Sequence, residues 1–217
     1  MTHAAGIAGI VLAAGESSRM GRDKALLPWP PHETATGPAS ETFLSAAIRS
    51  LSLATDYVVV VVGKNQAVLA PVVYGCGASL ACNPDPSRGQ FSSLQIGLHD
   101  VLNHGRDCAM VTLVDRPPAE AATLQILRRA FEAADPSVWA IVPEFSGRHG
   151  HPYVVGRELI EVFLRAPATA SARDLEHQHH IHMQYVPVDD PRVVSNINTP
   201  EDYAALDPRR QNLSRHI

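Results

Sequence analysis

Three apolar runs constrain the fold before anything else does. Residues 7–13 (IAGIVLA), 57–63 (YVVVVVG) and 108–114 (CAMVTLV) carry almost no polar side chains. A strand with one wet face alternates apolar and polar residues, whereas a strand apolar throughout is covered on both faces, as in a parallel sheet between helices. Helical spacing follows each run. Phe43, Leu44, Ala47, Ile48 and Leu51 recur within 41–53, Leu94, Ile96, Leu98, Val101 and Leu102 within 90–102, and a further helix is expected over 118–133. Weaker signals give a short helix at 66–70, strands at 78–83, 138–143 and near 153–155, helices at 157–165 and 171–178, and a late strand within 181–188. Thr199 as N-cap and Pro200 in the first turn open a final helix. Such alternation predicts an α/β chain with a single doubly wound, mostly parallel sheet of the Rossmann-like kind. One domain is expected over 1–217, with an exposed loop at 28–40 and a loose tail from about 207.

Composition narrows the class. A chain of 217 residues, 45% hydrophobic and 18% charged, suits one globular unit with a sizeable core. The net charge of −4 gives no basic footprint, which argues against nucleic acid as a partner. No apolar run approaches a membrane span, and the first fifteen residues lack the basic segment of a signal peptide. Cys76, Cys82 and Cys108 are odd in number and fit no metal spacing, so a reducing cytoplasm is expected.

The first apolar run breaks into Gly15 and a loop bearing Arg19, Arg22 and Lys24. Open α/β sheets bind ligands in the crevice at the carboxyl ends of their strands. Small residues there let the backbone approach an anion, and the three cations add positive charge. A phosphate-binding loop is the local reading. It is not a Walker loop, because five residues separate Gly15 from Gly21 and Lys24 comes three later, followed by Ala25. Nor does it carry the dinucleotide fingerprint.

Asp115 ends the third run and precedes Arg116-Pro117-Pro118. A hard carboxylate beside a phosphate loop suits Mg²⁺, which binds through one or two protein oxygens plus phosphates and water. An Asp capping a proline-started helix is an equal alternative on local sequence. Asn83, Gly89, Ser92 and Ser93 offer short groups able to read a nucleobase edge, although helix capping explains them as well. His149, Gly150 and His151 precede a strand; a substrate-side loop is more economical than a metal site, because no Cys or acidic partner sits at ligand spacing. His177, His179, His180 and His182 straddle a helix-to-strand junction, where side chains diverge, so zinc is disfavoured.

Taken together, these stretches resemble the MobA-like nucleotidyltransferase family, in its molybdenum-cofactor cytidylyltransferase branch. The resemblance runs from Ile7 to about Leu206 and is carried by LAAGESSRMGRDK, Asp115-Arg116-Pro117, NPDPSRGQFSSL, Gly150-His151-Pro152 and NINTPEDY. It implies that the backbone of Leu12, Ala13, Ala14 and Gly15 meets a nucleotide, and that Arg19 and Lys24 hold its phosphates. It further implies that Asp115 binds Mg²⁺, and that Asn83, Ser92 and Ser93 face base or ribose. Asn196 or Asn198 falls at the second metal-facing position, where cytidylyl relatives often carry an acidic pair. Val114 stands where a glycine is common, and residues 30–40 look like an insertion.

The reaction implied is transfer of CMP from CTP to the terminal phosphate of a molybdopterin-type acceptor, with a molybdoenzyme or its chaperone as a further partner. Ala14 in place of a second loop glycine, together with Ser92 and Ser93, favours CTP over GTP. Three alternatives stay open: a guanylyl enzyme, a sugar-phosphate or other small-metabolite nucleotidyltransferase, and a non-catalytic nucleotide-binding regulator.

Overall fold

A computed structural model describes residues 6–15, 23–31 and 41–206. The chain builds β1 (Ile7–Leu12), a short ribbon of β2 (Pro28–Trp29) and β3 (Glu41–Thr42), α1 (Phe43–Ser52), β4 (Tyr57–Val62), α2 (Gln66–Gly75) and β5 (Ser79–Cys82). It continues through α3 (Gln90–Asn103), β6 (Cys108–Leu113), α4 (Ala121–Ala133), β7 (Ala140–Phe145), β8 (Arg148–His149) and β9 (Tyr153–Gly156). It ends with α5 (Arg157–Arg165), α6 (Ala172–Gln178), β10 (Met183–Pro187) and α7 (Pro200–Ala205).

The main sheet runs β5-β4-β1-β6-β9-β7-β10, with β8 paired to β7. It is parallel except around β9, which runs against both β6 and β7, and at the β7–β8 hairpin. The expected doubly wound, mostly parallel sheet is present. Its two faces divide the apolar runs by parity. Val11, Val58, Val60 and Met110 pack under α1, α2 and α4 through Leu44, Ile48, Leu69, Leu124 and Leu127. Ile10, Val59, Val61 and Val111 pack under α3 and α5 through Leu94, Leu98, Ile160 and Phe163. Alternate strand residues point to opposite faces, so a run must be apolar throughout when both faces are covered.

Several boundaries depart from the sequence reading. Helix α2 does not stop at residue 70 but passes through Pro71 to Gly75. Pro71 lies on the exposed side, while Leu69 and Val73 anchor the buried side, so tertiary packing outweighs one missing hydrogen bond. The 28–40 stretch is not all loop, because Pro28 pairs with Thr42 and Trp29 with Glu41. Its residues 32–40 lie outside the described residues, as does the tail from 207. The segment before β9, expected as a loop, contains a hairpin whose turn residues Ser146 and Gly147 both have positive φ, as a two-residue type I′ turn requires. No helix among the described residues is long and apolar enough to cross a membrane.

Candidate active site

The chain winds from β1 outward to β4 and β5, then returns to the other side of β1 as β6. The strand order therefore reverses between β1 and β6, where open sheets form their crevice. The two strands stay paired up to this edge, with the Val114 amide donating to the Leu12 carbonyl at 3.0 Å. Gly15 and Asp115 are thereby brought to one place. A cavity of about 180 Å³ lies there, lined by Leu12, Ala14, Gly15, Lys24, Ser93 and Asp115, with Gly89 and Gln90 from the start of α3. The amino end of that fourteen-residue helix presents unpaired amides and a partial positive charge, which favours an anion.

Lys24 owes its position to two polar residues the sequence reading passed over. Asp23 caps the short turn at Lys24–Leu26 by accepting from the Ala25 amide at 3.0 Å. Asn65 donates both to the Asp23 carboxylate at 2.8 Å and to the Ala13 carbonyl at 3.0 Å, tying the far end of the loop back to β1. The Lys24 ammonium lies 3.8 Å from Asp115 Oδ2 and donates to Asn198 Oδ1 at 3.2 Å. Asn198 is held in turn because Asp202 accepts from the amides of Asn198 and Thr199, at 2.8 and 2.9 Å. Asp115 Oδ1 is buried without a hydrogen-bond partner. An unfilled carboxylate oxygen beside an anion-favouring cavity is chemically suited to a hard cation.

The other expected residues divide. Arg19 lies outside the described residues, as does Arg22. Asn83 and Ser92 do not line the cavity; the Asn83 amide donates to Ser92 Oγ at 3.0 Å and to Ser93 Oγ at 2.9 Å, and all three residues are buried. Ser92 also donates to the Gly89 carbonyl at 2.7 Å. This knot fixes the β5–α3 loop and leaves Ser93 at the cavity wall. Asn196 is exposed and lines neither this cavity nor its neighbour, whereas Asn198 reaches Lys24.

His149 lies away from the cavity, stacked 3.8 Å from Tyr185 with Glu144 at 3.5 Å. Gly150 is a packing residue, since a Cβ there would meet the Val193 carbonyl oxygen at 2.1 Å. His151 lines a second cavity, adjoining the first. In the histidine cluster, His182 stacks on Trp139 at 3.7 Å, with its Nδ1 2.7 Å from the Ser137 carbonyl oxygen. Among the described residues no group of three or more His, Cys, Asp or Glu is placed to hold a metal. Mg²⁺ needs no such group, since substrate phosphates and water complete its shell.

A switch-point cavity with a lysine, a carboxylate and a helix amino end is chemically suited to phosphate esters. The chain belongs to the MobA-like NTP transferase domain family, whose profile matches residues 9–183, and it is a nucleotidyltransferase. It is 24% identical to the molybdenum cofactor cytidylyltransferase of Escherichia coli, over 92% of this chain and 95% of that one. It is 26% identical to a probable molybdenum cofactor guanylyltransferase of Rhodopirellula baltica, over 93% of each. The crystal structure of Rv0371c from Mycobacterium tuberculosis superposes with a TM-score of 0.75 at 25% identity, covering 93% of this chain and 97% of that one. A manganese complex of Rv0371c gives 0.68 at 23% identity, with the same coverages.

Proposed function

We propose that the enzyme transfers CMP from CTP to the terminal phosphate of a molybdopterin-type acceptor and releases pyrophosphate. The observation that carries this reading is the convergence of Gly15, Lys24, Ser93 and Asp115 on one cavity at the strand switch point. An acceptor phosphate oxygen attacks the α-phosphorus, a new P–O bond forms, and the bond to the β-phosphate breaks with its electron pair leaving on pyrophosphate. Positioning and charge neutralisation dominate such chemistry. Lys24 and Arg19 grip the triphosphate, the Leu12–Gly15 backbone follows it, and Asn198 keeps the Lys24 ammonium aimed inward. Asp115 is the residue to hold a divalent ion, with Asn198 beside it, and that ion supplies further neutralisation of phosphate charge when bound. Mg²⁺ is the proposed ion, and the manganese complex of Rv0371c supports a divalent requirement in general.

Relatives of nearly equal identity bear cytidylyl and guanylyl names, so the base must be argued from residues. The Ala14 methyl occupies space at the cavity wall that a second glycine would leave open to a purine, and the Ser93 hydroxyl suits the small polar edge of cytosine. A site built on such hydrogen bonds discriminates strongly. Three free cysteines support a reducing compartment, and we assign the cytoplasm, with a molybdoenzyme or its chaperone receiving the product. Calorimetric titration of CTP and GTP in Mg²⁺ tests the base. Tighter CTP binding is expected; equal affinity or preference for GTP would overturn the cytidylyl assignment and leave nucleotidyl transfer standing.

A further inference from the structure

We infer that Arg116 is a positioning residue for the phosphate cavity: from its place next to Asp115 it holds the 193–198 segment by the backbone carbonyls, and so sets where Asn198 meets the Lys24 ammonium. The inference rests on the nucleotidyl-transfer reading. It adds a residue that acts on the triphosphate through Asn198 and Lys24 and not by touching it.

Residues 195–198 belong to neither helix nor strand, and the turn before them, Pro191–Val194, is short. Backbone carbonyls in such a segment have no ladder and must find donors elsewhere. Arginines supply them. Arg116 Nη1 donates to the Val193 and Ser195 carbonyls, both at 3.3 Å. Arg148 Nη2 donates to the Val194 carbonyl between them at 3.1 Å. The His151 amide also donates to the Val193 carbonyl, at 2.8 Å. Further along, the Ile197 amide donates to the Asp115 carbonyl at 2.9 Å, and the next residue is Asn198.

Asp115 and Arg116 therefore grip the segment together, the first by its backbone and the second by its side chain. Asn198 follows the last of these bonds at once, so a slide of the segment carries its side chain with it. The bond it accepts from Lys24 is already 3.2 Å long. A displacement of about 0.5 Å away from the lysine would end it as a hydrogen bond.

Folding alone does not account for a guanidinium at this position. Arg116 is half-buried, and its Nε is buried without a hydrogen-bond partner. A buried donor left unused costs stability. Burial also pulls the guanidinium below the ordinary arginine range, against Asp115, which favours the charge, and together with Arg148, which opposes it. An apolar side chain of similar length would fill the space without either cost. Local rules are broken in this way mainly at functional positions. What the arginine does, and an apolar side chain could not, is fix carbonyls in the segment that brings Asn198 to Lys24.

Nucleotide binding, measured by calorimetry on the full chain in Mg²⁺, tests this. The inference concerns the triphosphate and not the base, so whichever of CTP and GTP the wild type binds more tightly is the probe. Arg116→Met should weaken that nucleotide about threefold or more, as expected when one hydrogen bond in the site is loosened. In an Asn198→Ala background the same substitution should cause no further weakening. A role in folding alone would lower affinity to the same degree in both backgrounds. Arg116→Lys keeps the charge on a shorter, differently shaped donor and is the second variant. It should show the same dependence on Asn198. Unchanged affinity in both variants, equal losses with and without the Asn198 side chain, or loss of the folded circular dichroism spectrum in both variants would overturn the inference. The titration needs no turnover, so absence of pyrophosphate release beside the expected pattern would count against transfer alone.

Discussion

The Lys24 ammonium donates a 3.2 Å hydrogen bond to the side-chain carbonyl of Asn198, joining the loop after the first strand to the entry of the last helix. The same ammonium stands 3.8 Å from Asp115. One cation thus links the three segments whose convergence makes the site, and most of the predictions below perturb that link or its surroundings.

Removing the carboxylate should be the most severe change. Asp115→Ala is expected to reduce turnover below detection in Mg²⁺ with the circular dichroism spectrum retained, because the side chain is partly exposed and packs no core. Steady-state pyrophosphate release measures this. A variant of wild-type rate would remove Asp115 from the site.

Lys24→Ala should lower kcat/KM by at least an order of magnitude, since a charge-assisted hydrogen bond contributes about 1.5–3 kcal/mol. Asn198→Ala should cost less, about three- to tenfold, because it loosens the lysine without deleting it. The double variant should then be no worse than Lys24→Ala alone, as expected for residues acting through one contact. Additive losses in that cycle would show that Asn198 acts on something other than Lys24.

Gly150 gives a prediction about stability. A methyl group there would meet the Val193 carbonyl oxygen at 2.1 Å, and backbone cannot yield cheaply. Gly150→Ala should destabilise by about 3 kcal/mol, the upper end for overpacking, in a denaturant melt. An unchanged midpoint would refute the packing role.

The strands were the most legible part of the sequence because burial on both faces leaves no room for polar residues. Val58 to Val62 could be nothing else. Lys24 and Asp115 could be singled out for a related reason: each lies in a segment leaving a buried strand at the edge where open sheets bind ligands. Asn83 and Ser92 were ambiguous, because short polar side chains serve equally to bind a base or tie a loop, and their bonds to one another form only when β5 and α3 meet. Asn65, Tyr153 and Glu176 carry no local signal. Asn65 acts through bonds to a loop 42 positions away, and Glu176 lines a cavity assembled from α3, β9 and α6. The β7–β8 hairpin hid in plain composition, since Ser146-Gly147 reads as a turn without saying that Arg148 and His149 pair back.

Glu176 also makes stability depend on pH in a stated direction. The unfolded side chain ionises near 4.5 and the folded one near 7, so between those values the folded chain holds an extra proton. Stability contributed by this group therefore falls as pH rises through that window and is level above it. Glu176→Gln should remove this slope and be more stable than the wild type above pH 7, by on the order of 1–3 kcal/mol. Arg173, Tyr153 and His151 face the same cavity and stay in place in the comparison. Parallel pH–stability curves for the two proteins would show that Glu176 titrates normally.

The central claim is transfer of a cytidylyl group, and its most direct measurement is phosphorus NMR of a reaction containing the enzyme, CTP, Mg²⁺ and molybdopterin. The account predicts stoichiometric pyrophosphate together with a new diphosphate linkage between CMP and the acceptor, absent when GTP replaces CTP or Asp115→Ala replaces the enzyme. CTP left intact beside acceptor, or a linkage formed as readily from GTP, would contradict it.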